Sequence, residues 1–206
     1  MRTKALLVVT ATLLSALPAV AQDRMPPISP ERLTEAQKKA REQFLSSRGV
    51  EVFGPFVPLL RSPQLMLSAQ AMGDYLRFHS TLSPRIKEMV ILIACREWTQ
   101  QHEWRLHHPL ALMAGLRREV VDAIADGRRP FGIDAEQEAA YDLVTEILRN
   151  RRVSDPTWRR ALAQFSESDV VDLLGLAGYY GFIATLLNAT RPGLPAGGPE
   201  LRRFPE

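Results

Sequence analysis

The sequence predicts an all-α chain, and three observations carry that reading. Apolar residues recur three and four apart across most of the span from 31 to 189. Helix-start signals punctuate the same span at regular intervals. No segment alternates convincingly with the period of a strand. Val50-Glu51-Val52-Phe53 comes nearest, and it is short and closed by Gly54-Pro55.

The elements follow in order. Met1-Arg2-Thr3-Lys4 precedes an apolar run from Ala5 to Leu17, then Pro18 and Ala19-Val20-Ala21. A basic start, a short apolar run and an A-x-A site read as a secretory signal peptide, residues 1–21, cut after Ala21. The run is short of the roughly 20 residues that a membrane span needs, so no stable membrane insertion is expected after cleavage. The expected location is the periplasm or the exterior. Residues 22–30 hold Pro26, Pro27 and Pro30 and read as a linker.

Ser29-Pro30, Ser62-Pro63, Ser83-Pro84 and Asp155-Pro156 each place a capping side chain before a proline suited to the first helical turn. Asp134 with Gln137 forms a capping box, and Ser166 with Asp169 a weaker one. Gly115 and Gly127 stand where helices stop. Between these marks lie apolar sets such as Leu65, Met66, Ala69, Met72 and Leu76, then Ile86, Met89, Val90 and Ile93, and later Val170, Val171, Leu174, Ala177 and Phe182. Helices are predicted over 31–48, 63–79, 84–98, 100–114, 117–126, 135–150, 156–164 and 167–189. They form a single helical domain over 31–190. The stretch 191–206, rich in Pro and Gly, is expected to lack regular structure.

Composition excludes several functions. Of 206 residues, 46% are hydrophobic and 24% charged, which fits neither a disordered chain nor a many-span membrane protein. A single cysteine excludes an intramolecular disulfide, a CxxC redox centre and a multi-cysteine zinc site. No GxGxxG, GxxxxGK[ST] or GxSxG is present. Loss of Arg2 and Lys4 with the leader, and of no acidic residue, takes the formal charge from +3 to +1. The remaining arginine pairs are scattered, so no nucleic-acid partner is expected.

Chemistry concentrates between Leu82 and Leu116. Glu88 sits in a helix whose inner face is apolar, so it either faces water or is buried deliberately. Thr99 is placed to cap the next helix. Glu103 and His107 are four apart and share one helix face. A carboxylate beside an imidazole favours the cation and provides a proton donor near neutral pH. The alternative is an ordinary surface pair. His102-Glu103 invites comparison with the zincin HExxH, but the later histidines lie about 140° and 120° around the helix, so no metal is expected. Cys95 reads as a small buried hydrophobe.

Leu82-Ser83-Pro84-Arg85-x-Lys87-Glu88, Glu103-Trp104-x-x-His107 and Ala111-x-x-Ala114-Gly115-Leu116 resemble the core of the carboxymuconolactone decarboxylase family, within the alkylhydroperoxidase D-like superfamily. Gly178-Tyr179-Tyr180 and Leu187-Asn188-Ala189 are similar to its closing helix. The resemblance implies an all-helical bundle that assembles into a homo-oligomer, a trimer or hexamer. The hydroperoxidase branch carries a CxxC between Glu and His. Here those two positions are Gln100 and Glu103, which disfavours a thiol-based peroxidase cycle.

The resemblance implies a carboxy-lyase or related acid–base enzyme, acting without cofactor on a small carboxylate, lactone or keto-acid-like substrate. His107 would be the general acid, Glu103 its orienting partner, and Glu88 the third member of a Glu–His–Glu relay. Trp104 and His108 would line the pocket, and Arg85 or Arg96 would hold a substrate carboxylate. The other reading is a non-catalytic helical oligomer that binds a small molecule or a protein.

Overall fold

The computed structural model describes residues 23–202, so the expected leader lies outside the described residues. Among them the regular structure is entirely helical. A single 3-10 turn at Pro30–Arg32 precedes α1 (Glu35–Arg48), which starts at Thr34, not at the Ser29-Pro30 pair. Thr34 and Gln37 satisfy each other's backbone N–H groups in a capping box the sequence reading had not marked. The Val50–Phe53 segment pairs with no strand and leads into the four-residue α2 (Phe56–Leu59), which the pattern did not predict.

α3 (Pro63–Asp74) passes directly into a π turn at Tyr75–His79, so the single predicted helix over 63–79 changes pitch at its end. Lys87 closes that end. Its buried Nζ donates to Arg77 O and Ser80 O, at 3.2 and 3.0 Å. α4 (Pro84–Glu97) begins at Ser83, whose hydroxyl accepts from Ile86 N. The loop Trp98–Gln100 then leads into α5 (Gln101–Met113). Gly115 and Gly127 both adopt positive φ, +91° and +68°, after α5 and after α6 (Arg118–Ala125), where a side chain would be strained.

Asp134 and Gln137 form the expected box ahead of α7 (Ala135–Asn150), as do Ser166 and Asp169 ahead of α9 (Glu167–Thr190). Between them α8 (Asp155–Gln164) starts one residue earlier than predicted, with Ser154 at the N-cap and Asp155 inside the first turn.

α4 is the hub. It packs on α5, α6, α7 and α9, and every residue from Met89 to Arg96 is buried. α9 is long and apolar enough to cross a membrane, but more than half of its most apolar window is buried in the bundle, as in a core helix. Its apolar set is split. Val170 and Ala177 point inward, while Val171 is exposed and Leu174 and Phe182 are half-buried. Likewise on α3 and the π turn after it, Met66, Ala69 and Leu76 are buried while Leu65 and Met72 are exposed. Leu65, Met72, Gly178 and Phe182 line an apolar groove of about 360 Å³ between the two helices.

The described residues after α9, 191–202, carry no regular structure but are tied down. Gln101 exchanges two side-chain hydrogen bonds with the backbone of Leu201, and Arg105 Nη1 donates to Pro195 O at 3.0 Å. Arg105 also pairs with Glu200. Leu201 is buried as a result.

Candidate acid–base site

Three helices deliver the site. Glu88 lies in the second turn of α4, Glu103 and His107 lie one turn apart on α5, and Tyr180 lies mid-way along α9. His107 is 2% exposed. Its Nδ1 lies 2.7 Å from Glu88 Oε2, and its Nε2 lies 3.0 Å from the Tyr180 hydroxyl and 3.5 Å from Glu103 Oε2. The Tyr180 ring meets the imidazole edge-on, with centroids 5.1 Å apart. Glu88, Glu103 and His107 thus converge. Glu88 is turned inward, with a side chain only 13% exposed.

Burial pulls the imidazole toward neutrality, but its hydrogen bonds to Glu103 and Glu88, and their charges, outweigh it and hold the His107 pKa above its ordinary value. In the imidazolium both N–H groups donate, one to Glu88 and one toward Tyr180 and Glu103. In the neutral form with hydrogen on Nδ1, Nε2 instead accepts from the Tyr180 hydroxyl. Burial, opposed by the Arg77 charge and aided by the Glu103 and Glu88 carboxylates, pushes the Tyr180 phenol well up, so it stays protonated. Glu103 Oε1 is buried with no hydrogen-bond partner.

Cys95 lies two turns beyond Glu88 on α4. Burial and the charges of Glu103 and Glu88 hold its thiol well above its usual value, so it is a buried neutral group and a poor nucleophile.

The other residues proposed for the site have partners of their own. Trp104 is buried and its ring packs against His108 at 5.8 Å. Burial and the Arg118 charge, opposed by Asp122, lower the His108 pKa, which places it toward α6. Arg85 is tied to Asp134 and Glu136 at 2.8 and 3.6 Å. The Arg96 guanidinium is buried against backbone, donating to Ala125 O and Arg202 O, and to Thr99 Oγ1. Arg85 is thus ion-paired and Arg96 hydrogen-bonded, each to acceptors from other elements that the sequence alone could not bring to it.

Thr99 is not the helix cap. It adopts φ +46°, and Gln100 caps α5, its Oε1 accepting from the N–H groups of His102 and Glu103. Gln100 Nε2 donates to Asn188 Oδ1 at 3.0 Å, and Asn188 Nδ2 donates to Trp98 O at 2.9 Å, which latches the start of α5 to the end of α9. Gln100 and Glu103 are therefore a cap and a site carboxylate. Tyr180 is the site residue the sequence reading missed. It was noted only within the closing-helix resemblance, and nothing local marks it, since it lies 73 positions from its partner.

No known family profile matches the sequence, and no curated protein matches it. Solved structures do match the fold. The alkylhydroperoxidase AhpD core from Ralstonia eutropha JMP134, described as an uncharacterized peroxidase-related protein, aligns with a TM-score of 0.64 at 16% identity, over 82% of this chain and 92% of its own. An uncharacterized peroxidase-related protein from Silicibacter sp. TM1040 aligns at 0.67 and 16% identity, over 90% and 96%. The fold is alkylhydroperoxidase D-like. The debrominase Bmp8, solved in complex with 2,3,4-tribromopyrrole, shares this fold with a TM-score of 0.66 at 10% identity, over 85% of this chain and 94% of its own.

Proposed function

We propose that this protein is an acid–base enzyme of the carboxymuconolactone decarboxylase type, exported, and acting without cofactor on a small lactone or keto-acid-like carboxylate. One observation carries the reading: a buried His107 meets carboxylates at both ring nitrogens, with a tyrosine hydroxyl completing the Nε2 side. Such a group stores a proton near neutral pH and returns it to carbon when a decarboxylated or enolised substrate needs one. Glu88 fixes the ring through Nδ1, while Glu103 and Tyr180 flank the nitrogen that would deliver the proton.

His107→Gln tests the reading. Turnover of a lactone or keto acid identified by screening should fall by about 10²–10⁴-fold, with the helical fold retained. Unchanged turnover in a folded variant sinks it. The enclosure of His107 favours a second reading, a binding module in which the cluster is structural. In that case His107→Gln lowers the melting temperature and no substrate of the wild type is found. Assembly into a homo-oligomer is part of the proposal. The exposed apolar groove between α3 and α9 supports it, and light scattering on the intact chain measures it.

A further inference from the structure

A cleft of about 620 Å³ opens at the start of α5, between the α4–α5 loop, the last turns of α9 and the residues that follow it. It is separate from the His107 cluster but adjoins it. Gln100 lines the cleft and bonds the Glu103 N–H, and Trp98, on its wall, stands against Gly181 beside Tyr180.

The lining combines cationic, polar and apolar residues. Arg191 forms no ion pair among the described residues, and no carboxylate lines the cleft. His102, also on the wall, is 8% exposed, and its Nδ1 is buried with no hydrogen-bond partner. The N-terminus of the 13-residue α5 adds partial positive charge, and Arg96 lies behind Thr99 on the rim. Trp98, Leu187 and Leu194 supply the apolar surface.

We propose that this cleft binds a small carboxylate with a flat apolar body, its anion held by Arg191 and its body against Trp98. The assignment needs no turnover, so it stands apart from the acid–base reading. The volume lies within the range of small-molecule sites.

The test is calorimetric titration of the full chain with benzoate and with benzamide, its neutral isostere. Benzoate should bind saturably and at least about tenfold more tightly than benzamide. Arg191→Gln, at an exposed position, should weaken benzoate by about tenfold and leave benzamide unchanged. His107→Gln should bind benzoate as the wild type does, which separates this site from the catalytic cluster. Equal binding of the two probes, no saturable binding, or full affinity in Arg191→Gln overturns the proposal.

Discussion

His107 is held on two sides, and what it can do depends on which nitrogens carry hydrogen. Because its folded pKa is raised, the protonated form stabilises the folded chain. That stabilisation is complete below the ordinary histidine value of 6.5 and is lost as pH rises through the raised folded value. Stability measured by urea midpoint should therefore fall on the alkaline side of 6.5 in the wild type, and this fall should be absent in His107→Gln. Glu88→Gln removes one of the groups that favour the cation, so the imidazole titration, followed by NMR, should move toward acid. A titration that stays in place would show that Glu88 does not tune the ring. From sequence, the Glu103–His107 pair was legible because a helix fixes side chains four apart on one face. Tyr180 was not, because only the packing of α9 against α4 carries it there.

At the scale of elements, most starts and stops were legible because caps act over three or four residues. The failures have the same origin. Ser29, Ser62 and Asp155 look like caps, yet none makes the side-chain bond, and Thr99 yields to Gln100, which also reaches Asn188. A cap that bonds to another helix is a tertiary feature. Gly73 on α3 shows how contact overrides propensity. A Cβ there would lie 2.7 Å from Tyr179 Cζ, and Tyr179 is itself buried. Alanine in a helix interior ordinarily gains about 1 kcal/mol over glycine. Here Gly73→Ala should instead destabilise by roughly 1–3 kcal/mol through overpacking, as read by thermal denaturation. A stabilised variant would mean that the Tyr179 ring moves aside easily.

For the whole molecule, the stretch after α9 is the main departure from expectation. Its Pro and Gly content does exclude regular structure, but Gln101 and Arg105 bind it to α5 and Leu201 is buried. Leu201→Ala should cost about 2 kcal/mol, near the low end for a buried leucine because a terminal segment can close over the cavity. Chemical denaturation measures this, and a neutral result would show that the strap contributes no stability. α9 was read as one more amphipathic helix. It is apolar nearly all round, with one face in the core and another beside α3 in the open groove.

The sequence by itself determined the helical class, most helix boundaries and the carboxylate–imidazole pair, because period, capping and i,i+4 spacing are local rules. Tertiary packing alone decided that Glu88 points inward, that Tyr180 completes the site, and that Arg85 and Arg96 are engaged elsewhere while Arg191 borders a cleft. Each of these depends on where α4, α5 and α9 meet, and burial, unlike helix period, is a property of neighbours distant in the chain.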